Sequence, residues 1–370
     1  PPMPISLENA DFLLQNLDDC LAQLGVSSNL AMTDFYTIGL DARAERMARL
    51  AVEALKSWGI TDCTPELVKI RENAVFRVPA PGGGEAALRI HRHAYHSDVA
   101  LESELQWMRA LQQDGIDVPA IVPTQIDALF ITESVASVPE PRQVDMVRWL
   151  PGVPLGTLEE GLSAAVHDIG QTFTQVGRLV GELHNHAANW PLPEGFQRHA
   201  WDVDGLTGEQ PFWGRFWEFP GLDAAPRALL ERARDTARDD LFAIGQPKEN
   251  YGLIHSDLNL DNMLLHDGRV MAIDFDDCGF GWHLFDLATI SILFRGTDDY
   301  DQIHQSLITG YRQVRDLSDE LLELMPLFYL LRAFTYVGWV HTRNETHTAQ
   351  EIAAEVVATT CELADSYLRK

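Results

Sequence analysis

The chain has 370 residues, of which 46% are hydrophobic and 22% charged, and its formal net charge is −27 because 55 acidic residues face 28 basic ones. This composition predicts a soluble globular protein with room for two lobes, and the acidic excess argues against nucleic-acid and membrane partners, because binding to their phosphates requires clustered lysine and arginine. The four cysteines form no Cys-x-x-Cys pair, no leader opens the chain, and no run approaches the roughly 18 apolar residues of a membrane span, so we expect reduced thiols and a cytoplasmic location.

Residues 1–64 are predicted to form a helical extension. Its clearest segment is expected to begin at Asp41, as the helix cap, and to end at Gly59. Between these two positions one apolar stripe repeats at helical spacing: Met47, Leu50, Ala51, Ala54, Leu55 and Trp58.

Residues 65–147 show the pattern of a small antiparallel sheet with one helix. The helix is expected from Ser97 to Gln113, with Gly115 as its stop. The predicted strands are short runs of β-branched and apolar residues at 67–70, 74–78, 86–91, 129–135 and 143–150. Trp149 and the Leu-Pro-Gly that follows then predict a turn, which we interpret as a hinge over 148–152.

The remaining residues, 153–370, are expected to be mainly helical. Gly177 and Gly181 lie four apart on a predicted helix, a spacing that permits close packing against another helix. His184 and His186 are two apart, which splays them on a helix, so we expect no zinc site there.

The chemistry-bearing motif lies between two short apolar strands. His255, Asp257 and Asn262 fit the pattern His-x-Asp-x-x-x-x-Asn, and Asp274 follows at the end of the apolar run 270–273. In kinases with this spacing the first aspartate accepts the proton of the attacking hydroxyl, and the asparagine and the second aspartate bind magnesium. The two acids at this separation predict phosphoryl transfer with Asp257 as the base and Asn262 and Asp274 as Mg²⁺ ligands.

The strings HSDLNLDN and IDFDDCGFGWHLFDLA resemble the catalytic and magnesium loops of the aminoglycoside phosphotransferase family, whose relatives include choline kinases, homoserine kinases and bacterial stress-response kinases. The resemblance implies an α+β, protein-kinase-like fold with a small antiparallel-sheet lobe and a larger helical lobe, and it implies ATP and Mg²⁺ as cofactors. It also implies that Asp286 is the buried acid that braces the catalytic loop, with His255 as a second supporting residue.

The resemblance also implies where the nucleotide binds. Adenine is expected against the backbone of Arg148, Trp149 and Leu150. The loop over the triphosphate is expected at 71–74, which has no glycine, so it would hold phosphate through backbone amides and the Asn73 side chain.

Protein kinases hold the α- and β-phosphates with a lysine of the third strand that pairs with a helix glutamate. Here the strand reads AALRIHR, and Arg89 occupies that position. Its forked guanidinium can bind phosphate oxygens in pairs. We predict Arg89 as the phosphate cation and Glu104 as its partner, with Lys69 and Glu102 as the respective alternatives.

The acceptor is the least specific part of the sequence. Aromatic residues and carboxylates are interspersed between Trp190 and Pro220, an arrangement that suits either a wall for a cationic amine or the packing of an irregular segment. The first hypothesis is a small-molecule hydroxyl acceptor, with amines among the candidates. The alternatives are a protein serine or threonine, as in the stress-response kinases, and a regulatory protein that binds nucleotide without turnover.

Overall fold

The computed structural model describes residues 35–71, 73–157, 160–344 and 346–370, and most of the predicted helical extension, residues 1–34, lies outside them. The chain divides into two compact units. The first contains the residues up to His96 together with Ile121–Trp149, and the second contains Ser97–Ala120 and Leu150–Lys370. The helix after the third strand thus belongs to the second unit, whereas the sequence analysis counts it within residues 65–147. The lobe and hinge boundaries stay a prediction.

The first unit is a five-stranded antiparallel sheet with one helix. Its elements are α1 (Leu40–Leu55), a 3₁₀ turn (Lys56–Trp58), β1 (Glu66–Ile70), β2 (Ala74–Pro79), β3 (Glu85–Ile90), β4 (Phe130–Glu133) and β5 (Arg142–Arg148). The strand order is β1-β2-β3-β5-β4, and every neighbouring pair is antiparallel, as predicted.

The ends of α1 confirm one predicted signal and correct another. The helix begins at Leu40 with Gly39 as its cap, so Asp41 is not the cap but lies in the first turn, where a carboxylate is favourable beside the helix amides. Gly59 ends the 3₁₀ turn in the left-handed conformation that favours glycine, with φ of 75°. The apolar stripe of α1 and Trp58 join the sheet in one buried cluster.

The second unit is mainly helical. Its helices are α2 (Asp98–Gln113), α3 (Ile169–Asn189), α4 (Val203–Thr207), α5 (Ala224–Ile244), α6 (His283–Ile292), α7 (Tyr300–Arg312), α8 (Asp319–Leu322), α9 (Met325–Thr342) and α10 (His347–Leu368). Its short strands are β6 (Val153–Pro154), β7 (Gly156–Thr157), β8 (Gly161–Leu162), β9 (Ala200–Trp201), β10 (Tyr251–Ile254), β11 (Met263–His266), β12 (Arg269–Ala272) and β13 (Gly279–Trp282). They form three small sheets, ordered β10-β13-β9, β12-β11-β6 and β7-β8.

Helices α3 and α7 pack with their backbones in contact. A Cβ atom added at Gly177 would lie 1.9 Å from the Leu307 carbonyl oxygen, and one added at Gly310 would lie 1.9 Å from the Thr174 carbonyl oxygen. A Cβ atom added at Gly181 would lie 2.5 Å from a methyl carbon of Val314, just after α7. The predicted role of the two α3 glycines in close packing is confirmed.

Within the residues that the structure describes, one stretch, Asp319–Thr342, is long and apolar enough by length and composition to cross a membrane. However, 67% of its most apolar window is buried inside the chain. This is the burial expected of a helix in a protein core.

Substituting Gly177 by alanine should destabilise the protein. The added methyl group would overlap the backbone of α7, so the helices must separate, and we expect the free energy of unfolding to fall by about 1–3 kcal/mol. Urea denaturation followed by circular dichroism measures this. Gly170→Ala in the same helix is the matched control, because the Cβ atom added there would meet only the end of the flexible Gln302 side chain as its nearest neighbour, at 3.2 Å. Equal stability of the two variants would contradict the packing argument.

Candidate active site

The catalytic loop follows β10 and is fixed by a buried carboxylate. Asp286, near the start of α6, accepts hydrogen bonds from the backbone N–H groups of His255, at 3.0 Å, and Ser256, at 2.6 Å. Ser256 has a φ of 67°, in the left-handed region that non-glycine residues seldom adopt. The bonds to Asp286 therefore stabilise a strained turn immediately before Asp257.

A chain of buried polar groups continues behind Asp286. His184 of α3 places Nε2 3.0 Å from the Asp286 carboxylate and Nδ1 2.9 Å from the Tyr311 hydroxyl. Burial lowers the pKa of His184 far below its usual value, so the ring is neutral, donates through Nε2 to the carboxylate and accepts from Tyr311. Burial also raises the pKa of Asp286 to about 6, which leaves it ionised at neutral pH. Sequence reasoning missed both His184 and Tyr311 as partners of this acid.

Three donors hold the carboxylate of Asp257. The amide of Asn259 donates to Oδ1 at 2.7 Å, the amide of Asn262 donates to Oδ2 at 3.1 Å, and the Arg332 guanidinium donates to Oδ1 at 2.6 Å. The Asp257 side chain is 18% exposed, and that of Arg332 is 0% exposed. Asp257 therefore sits at the edge of the interior, with its orientation fixed and part of its surface open to a ligand.

The two predicted magnesium ligands flank the same end of one hairpin. Asn262 directly precedes β11 and Asp274 lies two residues after β12, and the Ile273 N–H donates to the Asn262 carbonyl at 2.9 Å. The Asn262 amide nitrogen is engaged by Asp257, so its side-chain oxygen is the atom to offer to a cation. Asp274 has a φ of 65°. An amide oxygen and a carboxylate fit Mg²⁺, which takes oxygen ligands and completes its shell with water and substrate phosphates.

His255 is buried and bonded to the magnesium loop. Its Nε2 lies 3.1 Å from the Ile273 carbonyl oxygen, and its ring packs on Phe275 with centroids 4.5 Å apart. Burial lowers its pKa, so the ring is neutral. These contacts agree with a supporting role for His255, which stays a prediction.

Arg89 forms a buried cross-strand ion pair within the first unit. Its Nε and Nη2 donate to the two carboxylate oxygens of Asp145 at 2.8 and 2.7 Å, and His91 Nε2 lies 2.7 Å from the same carboxylate. Arg89 and Asp145 are directly opposed in the β3–β5 register. Asp145 was missed from the sequence, although an acid flanked by Val144, Met146 and Val147 is a visible signal.

Glu104, the predicted partner of Arg89, is fully buried in the second unit. Its carboxylate lies 3.7 Å from Nη1 of Arg198, and Arg198 donates to the backbone carbonyls of Asp276 and Cys278, just after Asp274. Glu104 thus borders the arginine that fastens the magnesium loop. The pairing of Glu104 with Arg89 stays a prediction.

The residues predicted around the nucleotide have identified contacts within the first unit. The Asn73 side-chain oxygen accepts the Arg92 N–H at 3.0 Å. Arg148 donates to the carbonyls of Pro81 and Gly83, in the β2–β3 turn, at 2.7 and 2.6 Å. The backbone N–H of Trp149 donates to the Glu85 carbonyl, and the Arg77 guanidinium lies over the Trp149 ring, 4.9 Å from its centroid. Leu150 begins the next part of the second unit. Their roles in nucleotide binding stay predictions.

The aromatic segment proposed as an acceptor wall is largely interior. Trp201 is 0% exposed, and Trp213 and Trp217 are each 6% exposed. The Arg332 guanidinium lies 5.0 Å from the Trp213 ring centroid, and the Arg234 guanidinium lies 4.2 Å from that of Trp217. For these three tryptophans the packing interpretation is the correct one.

Fold and motif together define a class of protein, the kinase-like phosphotransferases, and comparison with known proteins supports this assignment. Residues 67–317 match the model of the phosphotransferase enzyme family called APH, and the chain belongs to that family. It is therefore a kinase that uses an alcohol group as acceptor, and its fold is the predicted α+β, protein-kinase-like one.

Individual relatives agree. The solved structure of a microcompartment-associated aminopropanol kinase is 32% identical, covers 87% of this chain and 97% of its own, and superposes with a TM-score of 0.75. Amicoumacin kinase of Bacillus subtilis (strain 168) is 24% identical over 283 residues, which are 73% of this chain and 78% of that protein. The structure of amicoumacin kinase hAmiN in complex with AMP-PNP, Ca²⁺ and Ami shares the fold, with 20% identity, a TM-score of 0.66, and coverage of 82% of this chain and 88% of that one.

The Arg89–Asp145 pair yields a test of the predicted phosphate cation. Arg89→Ala should raise the KM for ATP by about tenfold or more, because a phosphate contact made by a guanidinium is worth about 1.4 kcal/mol or more. Asp145→Asn should raise it less, because the arginine remains but loses its charged anchor. Initial rates at varied ATP, with Arg92→Ala as control, measure both. An unchanged KM for ATP in Arg89→Ala would transfer the role to another cation, with Lys69 as the first candidate.

Proposed function

We propose that this protein transfers the γ-phosphoryl group of ATP, with Mg²⁺, to the hydroxyl of a small amino alcohol in the cytoplasm. The observation that carries the proposal is the carboxylate of Asp257, held by three donors at the edge of the interior. Asn262 donates to this carboxylate, and Asp274 follows the partner strand at the same end of the β11–β12 hairpin. An oriented acid beside oxygen ligands for a cation is the arrangement that phosphoryl transfer to an alcohol requires.

In this mechanism Asp257 accepts a hydrogen bond from the acceptor hydroxyl and aligns its oxygen with the γ-phosphorus. As the new oxygen–phosphorus bond forms and the bond to ADP breaks, the hydroxyl proton passes to Asp257. Asn262 and Asp274 would hold Mg²⁺, which neutralises phosphate charge when bound. Because this kind of transfer has a loose transition state, the main task of the loop is to position the hydroxyl.

The nucleotide assignments complete the proposal. Arg89 would donate to phosphate oxygens from the side of its guanidinium that faces away from Asp145. Adenine would lie against the backbone of Arg148, Trp149 and Leu150. Asn73 would contribute to the loop over the triphosphate.

Two observations support an acceptor that carries an amine. The aminopropanol kinase is similar over 97% of its length, and its named substrate is an amino alcohol with a hydroxyl and a basic nitrogen. The net charge of −27 also favours the approach of a cationic acceptor over an anionic one.

Asp257→Asn should lower kcat roughly 10²–10⁴-fold, because the amide cannot take the proton. Nucleotide binding should be kept, since asparagine retains the shape of the side chain, whereas thermal stability should fall, because the buried Arg332 loses its anionic partner. A coupled assay of ADP release in the presence of acceptor measures kcat. Asp267→Asn, at an exposed turn aspartate, is the control. Comparable rates for Asp257→Asn and the wild type would refute the assignment of the base.

An acceptor panel tests the substrate class. We expect transfer of labelled phosphate from ATP to 1-amino-2-propanol with a kcat/KM at least about tenfold above that for 1,2-propanediol, in which a hydroxyl replaces the amine, because one ion pair of about 1.4 kcal/mol gives that ratio. Ethanolamine, choline, homoserine and kanamycin map size and charge. Equal use of the diol would contradict the amine requirement, and label in a protein fraction instead would favour the protein-kinase alternative.

A further inference from the structure

One of the three donors to Asp257, Arg332, has no role of its own in the mechanism so far. Arg332 lies in the middle of α9, in the apolar run MPLFYLLRAFTYVGW, and its side chain is 0% exposed. Its guanidinium stands over the rings of Tyr336, Trp213 and Phe285, at 4.3, 5.0 and 5.7 Å from their centroids. A cation buried in such surroundings is strongly destabilising unless it is paired.

The partners of Arg332 belong to the catalytic loop. Nη2 donates to Asp257 Oδ1 at 2.6 Å, and Nη1 donates to the Ser256 carbonyl at 3.0 Å. Within the described residues, the third nitrogen, Nε, makes no hydrogen bond. Both hydrogen bonds of the guanidinium are thus made to two consecutive loop residues, one of which is the proposed base.

A second residue of α9 contacts the same loop. Tyr336, one helical turn after Arg332, donates its hydroxyl to Asn259 Oδ1 at 2.9 Å, and Asn259 donates in turn to Asp257 Oδ1. Helix α9 therefore reaches the Asp257 carboxylate both directly and through Asn259. Asn262 approaches the other oxygen, Oδ2.

These contacts constrain the rotation of the carboxylate. Oδ1 accepts from Arg332, which belongs to α9, and from Asn259, which Tyr336 of α9 orients. The direction of Oδ2 therefore follows from the position of this helix. A forked guanidinium that also binds the preceding carbonyl fixes the angle as well as the distance, which a single ammonium group cannot do. Misplacement of a reacting group by about 1 Å can lower a rate by roughly 10²-fold.

We propose that Arg332 is a positioning residue for phosphoryl transfer, which holds the Asp257 carboxylate in the orientation that the acceptor hydroxyl needs. The inference rests on the proposed role of Asp257 as the base. Helix α9, whose Arg332 is 75 residues from Asp257, would then help to orient the acceptor and would have no part in binding the nucleotide.

Arg332→Met and Arg332→Lys test the inference. Methionine keeps length and apolar contacts but removes the donors, so kcat for acceptor phosphorylation should fall by about 10²-fold. Lysine keeps the charge but cannot bind Ser256 and Asp257 together, so its loss should be smaller, about tenfold. The KM for ATP and the affinity for ADP, measured by calorimetry, should change by less than about twofold, since Arg332 does not act on the nucleotide.

The ratio of transfer to the acceptor over transfer to water separates positioning from general structural damage. Water has no fixed orientation to lose, so hydrolysis should fall much less than acceptor phosphorylation, and the ratio should drop in both Arg332 variants. Arg227→Met is the matched control, because that arginine also donates to backbone carbonyls, and its acceptors, Trp217 and Leu222, lie outside the loop. Its ratio should equal that of the wild type.

Several outcomes would overturn the inference. A kcat within about threefold of the wild type in Arg332→Met would do so, and so would an equal fall of transfer and hydrolysis. If Arg332→Met does not fold, Arg332→Lys and Tyr336→Phe decide by the same ratio. Activity of Asp257→Asn would instead refute the proposed function, whatever the arginine variants show.

Discussion

The backbone of one residue, Ser256, is held between two buried charges of opposite sign. Its N–H donates to the Asp286 carboxylate, and its carbonyl accepts from the Arg332 guanidinium. The N–H of the peptide before Ser256 favours a negative charge and the carbonyl of the peptide after it favours a positive one, so each charge is stabilised by the group it meets. This matters because Ser256 has a left-handed backbone, which requires such support from its surroundings. The position of Asp257, the next residue, depends on this arrangement.

Neither buried charge would be tolerable alone. An isolated carboxylate or guanidinium in the interior is strongly unfavourable, whereas hydrogen bonds from several donors or acceptors compensate much of the desolvation. Asp286 receives two amide N–H groups and the His184 ring, and Arg332 gives to a carbonyl and a carboxylate and stands over aromatic rings. The residual penalty is still visible at Asp286, where burial raises the pKa to about 6. Stability of the second unit and geometry of the loop are therefore coupled.

Features that depend on residues close together in the sequence were predicted, whereas contacts between residues far apart in the sequence were missed. The strands of the sheet, the end of the 3₁₀ turn at Gly59 and the close packing at Gly177 depend on local pattern or residue size, and they were predicted. Asp257, Asn262 and Asp274 were identified together because all three lie in one short stretch of sequence around the β11–β12 hairpin. Their functional roles stay predictions.

The partners that hold these residues come from far along the chain. Arg332 is 75 residues from Asp257, and Asp145 is 56 residues from Arg89. No local pattern specifies such a pair, because it depends on how helices and strands pack. What the sequence does show is a charged residue inside an apolar run, as in α9 and β5. Such a residue indicates a buried partner without identifying it.

The aromatic segment shows how composition can suggest the wrong binding surface. Clustered tryptophans and acids fit a cage for an external cation, yet the faces of Trp213 and Trp217 are already covered by the chain's own arginines. A cation–π contact is satisfied equally well by an internal guanidinium, and a buried one is stronger because it is desolvated. In this protein the rings around Arg332 therefore help to keep a cation next to the proposed base. The ammonium group of the proposed acceptor would have to be recognised by carboxylates rather than by these faces, so the proposed amine preference does not depend on the aromatic composition.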